Sequence, residues 1–264
     1  MEQSYGQLRE SVSSAASRFA SMAKMPVVLC LLMLSQSQQA SVAQDGSHPL
    51  RGSQNREGQA VHSKTVSVRA LGGQLSVRLP DGYCSIKDKG REGEMLKHSR
   101  DMMPQSVRIL HAAAECSELA KYAAGNSDEV FHWLQVQMIG PSGTFRRLPF
   151  SREEFLSNIG GQLPEIDFTA IESEAETLLE RAGMDVSSVK QAPIGRDGNA
   201  IYMATNFSVE NAAAPRHIRG LGAITLVNSI PLGIHVYSSK PLSDSPRDLQ
   251  SDLHSLLQSI LHNN

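Results

Sequence analysis

The sequence feature that most limits how this chain can fold is a short apolar run, residues 25–34, close to the N-terminus. Arg18 and Lys24 precede the run, and a polar stretch that ends at Ala43 follows it. This order is typical of a secretory signal peptide. The run is too short to cross a bilayer as a helix, which needs about 20 apolar residues. The pattern therefore predicts export to an oxidising compartment, with cleavage between Ala43 and Gln44.

The start of the chain leaves two alternatives open. The stretch ahead of Lys24 is long for the first part of a signal peptide, so a start of synthesis at Met22 or Met25 is one alternative. The other is an uncleaved signal that anchors the chain. Such an anchor is the only membrane association that the sequence predicts.

The charge balance argues against nucleic acid as a partner. The whole chain has 25 basic and 27 acidic residues, and residues 1–43, the predicted signal peptide, contain three of the basic and two of the acidic ones. The mature chain therefore has a net charge of −3. Nucleic-acid binders rely instead on a basic surface.

Cleavage also removes Cys30 and leaves two cysteines, Cys84 and Cys116. An even number of cysteines in an oxidising compartment is typical of a disulfide. A reactive pair and a pair of soft metal ligands are the alternatives, but the separation of 32 residues matches neither a redox C-x-x-C motif nor a zinc motif. The sequence thus predicts a structural bridge between Cys84 and Cys116.

Composition divides the mature chain into a leader and one domain. Residues 44–63 are rich in Gly, Ser, Gln, Arg and His and contain hardly any large apolar side chains. Burial of such residues cannot offset the entropy that is lost on ordering them. We therefore expect a disordered leader over residues 44–63 and a single α+β domain over residues 64–264.

Hydrophobic periodicity and turn signals predict the order of elements in that domain. Apolar residues alternate on both sides of Gly72-Gly73, which indicates a β-hairpin. Residues 92–124 are expected to be helical, with Pro104 either starting a second helix or kinking a single one, and with Cys116 pointing inward. Further on, the sequence predicts a strand at 130–139, a helix from a capping box at Ser151 to Gly160-Gly161, a helix at 168–182, hairpins at 189–207 and 223–237, and a final helix from Asp248.

These elements are segregated along the chain, which favours an antiparallel β-sheet covered by helices over a doubly wound parallel sheet. Their order and lengths resemble the PsbP-like α/β/α sandwich, a fold seen in exported and lumenal accessory proteins. The resemblance implies an accessory role, and some PsbP-like proteins bind metals or assist larger assemblies.

Three short stretches carry a second resemblance: residues 79–84 (LPDGYC), 114–119 (AECSEL) and 224–232 (ITLVNSIPL). They resemble stretches in uncharacterised exported proteins of alphaproteobacteria. This resemblance implies a bacterial protein that is periplasmic or secreted. Neither resemblance supplies a functional residue.

Four ring-bearing side chains on predicted strands are the candidates for a binding groove. His132 is next to Trp133, and His235 shares one face of its strand with Tyr237 because side chains alternate along a strand. The alternative is a half-exposed sheet face under the end of a helix. The nine histidines form no H-E-x-x-H or H-x-H metal motif.

No nucleophile elbow and no phosphate-binding glycine loop is present in the sequence. We therefore expect a non-enzymatic exported envelope protein without a cofactor. It would act as an accessory, assembly or ligand-binding factor, and its partner would be another envelope protein or a small ligand. The alternative is an enzyme or metal-binding protein whose site is built from dispersed carboxylates and histidines, with His132, His217 and His235 as the first candidates.

Overall fold

The computed structural model of the chain describes residues 64–101, 103–140, 143–181, 185–210, 215–240 and 247–264. The predicted signal peptide, its cleavage site at Ala43 and Gln44, and the predicted leader lie outside these ranges. No helix within them is long and apolar enough to cross a membrane.

A seven-stranded antiparallel sheet forms the centre of the fold. Its strands are β3 Tyr83–Ser85, β4 Val107–Glu115, β5 His132–Ile139, β6 Val186–Arg196, β7 Ile201–Glu210, β8 Pro215–Val227 and β9 Ile230–Ser238. Their order in the sheet is β3-β4-β5-β9-β8-β7-β6. The four strands β6 to β9 follow one another as the predicted meander, and β9 then pairs with β5.

Each face of the sheet carries its own hydrophobic core. Four helices cover one face, whereas the fifth helix and the predicted hairpin cover part of the other. The fold is therefore α+β, with the antiparallel sheet between two outer layers. These outer elements are the hairpin strands β1 Thr65–Ala70 and β2 Gly73–Arg78 and the helices α1 Gly90–Asp101, α2 Cys116–Ala123, α3 Arg152–Gln162, α4 Phe168–Arg181 and α5 Leu249–His262.

The prediction that residues 92–124 are helical is wrong for the middle of that range, where the strand β4 separates α1 from α2. Three consecutive alanines misled the periodicity argument, because alanine is the best helix former. In the sheet they are buried, with Ala112 and Ala114 in one core and Ala113 in the other. Ala114 pairs with Trp133 of β5, so its small side chain lies directly beside a large one.

The predicted capping box at the start of α3 is confirmed. Ser151 Oγ accepts a hydrogen bond from the Glu154 amide at 3.2 Å, and Glu154 Oε2 accepts one from the Ser151 amide at 2.8 Å. The expectation that Gly160-Gly161 ends this helix is wrong, because α3 continues to Gln162. Gly160 instead lies against the guanidinium of Arg196, which a side chain at this position would displace.

We expect Ser151→Ala to lower the free energy of unfolding by about 1 kcal/mol, since it removes the acceptor for an otherwise unbonded helix amide. Urea denaturation measures the change. Ser157→Ala, on the exposed side of the same helix, is the matched control and should cost less. Equal losses in the two variants would contradict a capping role for Ser151.

Candidate functional site

The predicted disulfide is present at one end of the sheet. The Sγ atoms of Cys84 and Cys116 lie 2.01 Å apart and their Cα atoms 4.9 Å apart. Cys84 is in β3, and Cys116 is the first residue of α2. The backbone amide of Cys116 donates a hydrogen bond to Gly82 O at 2.8 Å. The bridge therefore holds the first turn of α2 against the end of β3.

That first turn carries Glu118, which is buried between α2 and the start of β5. Its Oε2 accepts hydrogen bonds from the backbone amides of Phe131 at 2.9 Å and His132 at 2.8 Å. Its Oε1 lies 2.9 Å from His132 Nδ1 and 3.1 Å from Lys240 Nζ. One carboxylate thus joins a helix, a strand and the segment after β9.

The surroundings of Glu118 act on its carboxyl in opposite directions. Burial alone would raise the pKa of Glu118, because it disfavours the charged form. The hydrogen bonds from His132 and Lys240 outweigh burial and lower the pKa to about 2. Glu118 is therefore a carboxylate at every physiological pH.

Glu118 lines a cleft of about 250 Å³, which we call the sheet-end cleft. The other two glutamates in it are also bonded. Glu129 pairs with Arg216, and Glu115 caps α2 by accepting from the Glu118 amide at 2.9 Å. The described lining consists of Glu115, Ser117, Glu118, Lys121, Ser127, Glu129, Phe131, His132, Lys240 and Arg247. All three carboxylates of the described lining bind groups of the protein itself, so the lining residues mainly hold α2 against the sheet.

Three of the four groove candidates lie together in the core beneath the helices. Trp133, Tyr237 and His235 are 0%, 1% and 7% exposed. The Tyr237 ring stacks on Trp133 with centroids 5.3 Å apart and on His235 with centroids 6.1 Å apart. Burial lowers the pKa of His235 to about 4, so its ring is neutral at pH 7. Alternation along β5 separates the fourth candidate, His132, from Trp133 and places it in the sheet-end cleft.

Glycines of β8 make room for these rings. Gly220 pairs with Tyr237 and Gly222 pairs with His235. A Cβ atom at Gly222 would lie 2.7 Å from His235 Nδ1, and one at Gly220 would collide with the Tyr237 ring. The Gly220-Leu-Gly222 sequence therefore serves close packing of rings against the strand.

The histidines proposed for a dispersed metal or catalytic site do not converge. His217 is exposed on β8, where its Nδ1 lies 2.7 Å from Ser208 Oγ, and alternation places it on the opposite face from Gly220 and Gly222. Within the described ranges, no group of three His, Cys, Asp or Glu side chains is arranged to hold a metal ion.

The other face of the sheet carries an open groove that no motif in the sequence predicted. There, α5 packs mainly on β2, β8 and β9, whereas Lys190, Ala192 and Asn206 of the outer strands are exposed. At this boundary lies a groove of about 760 Å³, which we call the α5 groove. Its described lining consists of Ile194, Tyr202, Leu221, Asp248, Gln250, Ser251, Leu253 and His254.

The α5 groove has an apolar floor and an acidic end. Ile194 is 56% exposed and is the only exposed large hydrophobic residue in the described part of the chain. The Tyr202 hydroxyl donates a hydrogen bond to Asp197 at 2.9 Å. Burial, and to a smaller extent this hydrogen bond, raises the pKa of Tyr202 to about 12. Asp248 caps α5 by accepting from the Gln250 amide at 3.0 Å, its exposed carboxylate still faces the groove, and no lysine or arginine is among the described lining residues.

The sequence contained one signal for this groove. Ile194 stands between Pro193 and Gly195 next to a hairpin turn, where a large apolar side chain has no obvious core to join. Periodicity arguments assign apolar residues to the core and therefore pass over such a position.

In the comparisons with known proteins, no family model matches the chain, and no curated protein matches it.

Proposed function

We propose that this chain is an exported, non-enzymatic accessory protein of the bacterial envelope. Its α5 groove would bind a short apolar segment of another envelope protein, with a basic residue next to the apolar one. The exposed side chain of Ile194, beside Tyr202 and Leu221 in that groove, is the observation that carries the proposal. A single exposed apolar residue is common on protein surfaces, but a contiguous apolar patch rimmed by polar residues is typical of an interaction site, and Ile194 is continuous with Tyr202 and Leu221 in this groove.

Export is supported by two independent features. The apolar run at residues 25–34 has the flanking residues of a signal peptide. The bridge between Cys84 and Cys116 is of a kind that persists in oxidising compartments such as the periplasm. A periplasmic or secreted location fits both.

The nature of the partner follows from the lining of the groove. Ile194, Tyr202 and Leu221 offer an apolar surface that water contacts in the free protein, and the buried Leu253 lies beneath it. Asp248 adds a negative charge at the start of α5, which would attract a Lys or Arg side chain. A short segment with one apolar and one basic residue would match both features.

The alternative function, an enzyme or metal-binding protein with a dispersed site, has less support. Glu118 contacts His132, as a carboxylate that orients a catalytic histidine would in acid–base catalysis. However, Glu118 also bonds two backbone amides and Lys240, which gives it a structural role. His217 and His235 lie elsewhere in the fold.

Selection of short random peptides on the purified domain tests the proposal. We expect enriched peptides to carry an apolar residue beside Lys or Arg. Ile194→Ser should weaken binding of a selected peptide at least about tenfold, because burial of an isoleucine contributes roughly 1.5–3 kcal/mol. Isothermal titration calorimetry gives the dissociation constants.

Two further variants separate the α5 groove from the sheet-end cleft. Asp248→Asn keeps a good helix N-cap but removes the charge, so it should weaken binding and reduce its salt dependence. Lys121→Ala, in the sheet-end cleft, should leave the dissociation constant unchanged. Peptides that bind the wild type and Ile194→Ser equally, or a selection without enrichment, would contradict the proposal.

A further inference from the structure

β6 is the long outer strand of the seven-stranded sheet. It has 11 residues and pairs only with β7 in the described sheet, whereas β3 at the opposite edge has 3 residues. An outer strand of that length presents a row of backbone N–H groups to which a strand of another chain can add.

Two glutamates of α4 occupy that row. Val189 N donates to Glu176 Oε1 at 3.0 Å, and Gln191 N donates to Glu172 Oε1 at 2.9 Å. Residues two apart along a strand are separated by about 6.6 Å. Residues four apart along a helix are separated by about 6 Å along its axis. The matched spacing lets two carboxylates stand where the carbonyls of a neighbouring strand would be.

Residue 193, the next residue whose backbone faces away from β7, is prevented from pairing in a different way. Val189, Gln191 and residue 193 point their backbone groups to the same side of β6, because that direction alternates along a strand. Residue 193 is proline, which has no N–H to offer. Lys190 Nζ also lies 3.0 Å from Glu172 Oε2 and so holds this carboxylate in place.

The same arrangement recurs at the hairpin. The amides of Ser76 and Arg78 in β2 donate to Asn264 Oδ1 at 2.8 Å and to Ser259 Oγ at 3.2 Å. Both acceptors come from α5 or the residues just after it. Side chains from a helix, or from the residues just after it, therefore occupy alternate outward amides on two different strands of this fold.

We infer that Glu172 and Glu176, together with Pro193, keep β6 from pairing with β6 of a second copy of this chain. A second copy is the matching occupant, because two identical edges pair antiparallel across a two-fold axis. The three-residue β3 is too short to serve as the partner edge. This inference concerns a different surface from the α5 groove and goes beyond the proposed function.

The test compares two double variants of α4 that remove the same charge. Glu172→Ala/Glu176→Ala opens the edge, whereas Glu174→Ala/Glu180→Ala changes two exposed glutamates on the same helix. Sedimentation velocity over a range of concentrations measures the dimer dissociation constant. That of the first variant should be at least about tenfold below that of the second, which corresponds to about 1.4 kcal/mol. Exchange of the Val189 and Gln191 amides should be faster in its dilute monomer and slower in its dimer.

A conservative and a mild variant complete the test. Glu172→Gln/Glu176→Gln keeps two carbonyl acceptors and should associate like the control. Pro193→Ala, at an exposed position, restores one N–H next to the amide of Gln191, so in a Glu172→Ala background it frees two successive outward amides and should strengthen association even if the double glutamate variant does not fold. If the folded Glu172→Ala/Glu176→Ala protein and the Pro193→Ala/Glu172→Ala protein both associate no more than the control, the inference is overturned.

Discussion

Replacing Cys84 and Cys116 by serine is expected to lower the free energy of unfolding by about 3–4 kcal/mol. The bridge links residues 32 apart in the sequence, and such a loop restricts the unfolded chain by about that amount in the chain-entropy account. For a domain of this size, each kcal/mol corresponds to a shift of roughly 2–4 °C in Tm. Urea denaturation and calorimetry of both proteins measure the loss.

Reduction of the wild-type protein provides the control for this experiment. Dithiothreitol should lower the stability of the wild type to that of the double serine variant and should leave the variant unchanged. If the reduced wild type is as stable as the oxidised one, the bridge is not what holds α2 against β3.

Glu118→Gln is the second variant with a large expected effect, a loss of about 3 kcal/mol or more in the free energy of unfolding near pH 7. The carboxylate is nine-tenths buried, with hydrogen bonds from two backbone amides and contacts to His132 and Lys240. Removing one partner of a buried ion pair typically costs about 3–5 kcal/mol, and the lower end of that range applies because the Lys240 side chain is partly exposed. Glu153→Gln, at an exposed position of α3, is the control and should change stability by less than about 0.5 kcal/mol.

The same carboxylate makes a specific contribution to acid stability. Its pKa is about 2 in the folded protein and about 4.5 in the unfolded chain. The unfolded state therefore binds a proton first as the pH falls, so the stabilisation by Glu118 is complete above about pH 5 and is lost towards pH 2. The difference in stability between wild type and Glu118→Gln should shrink across that window, and a difference that does not change with pH would contradict this account.

Local signals allowed much of the fold to be predicted from the sequence. The capping box at Ser151, the hairpins and the N-cap at Asp248 depend on neighbouring residues, and each is present as expected. The Cys84–Cys116 bridge followed from the number of cysteines in an oxidising compartment. The antiparallel sheet followed from the segregated order of strands and helices.

Features that depend on distant contacts escaped the sequence analysis. The alanines of β4 fit a helix locally, and only the cores on both sides of the sheet make them a strand. No sequence pattern marked Glu118 as buried, because its donors come from the start of β5 and from Lys240. The α5 groove is formed by a strand end and a helix about 55 residues apart, from Ile194 to Leu249, so no local pattern marks it.

The position of a bound peptide tests the central claim, that the α5 groove is the binding site, most directly. Amide hydrogen exchange would be measured on the wild-type domain with and without a peptide obtained by selection. We expect slower exchange in residues 193–203, 219–222 and 248–254, which contain the groove, and unchanged exchange in residues 115–132. Slower exchange confined to residues 115–132 would instead assign binding to the sheet-end cleft and would contradict the account.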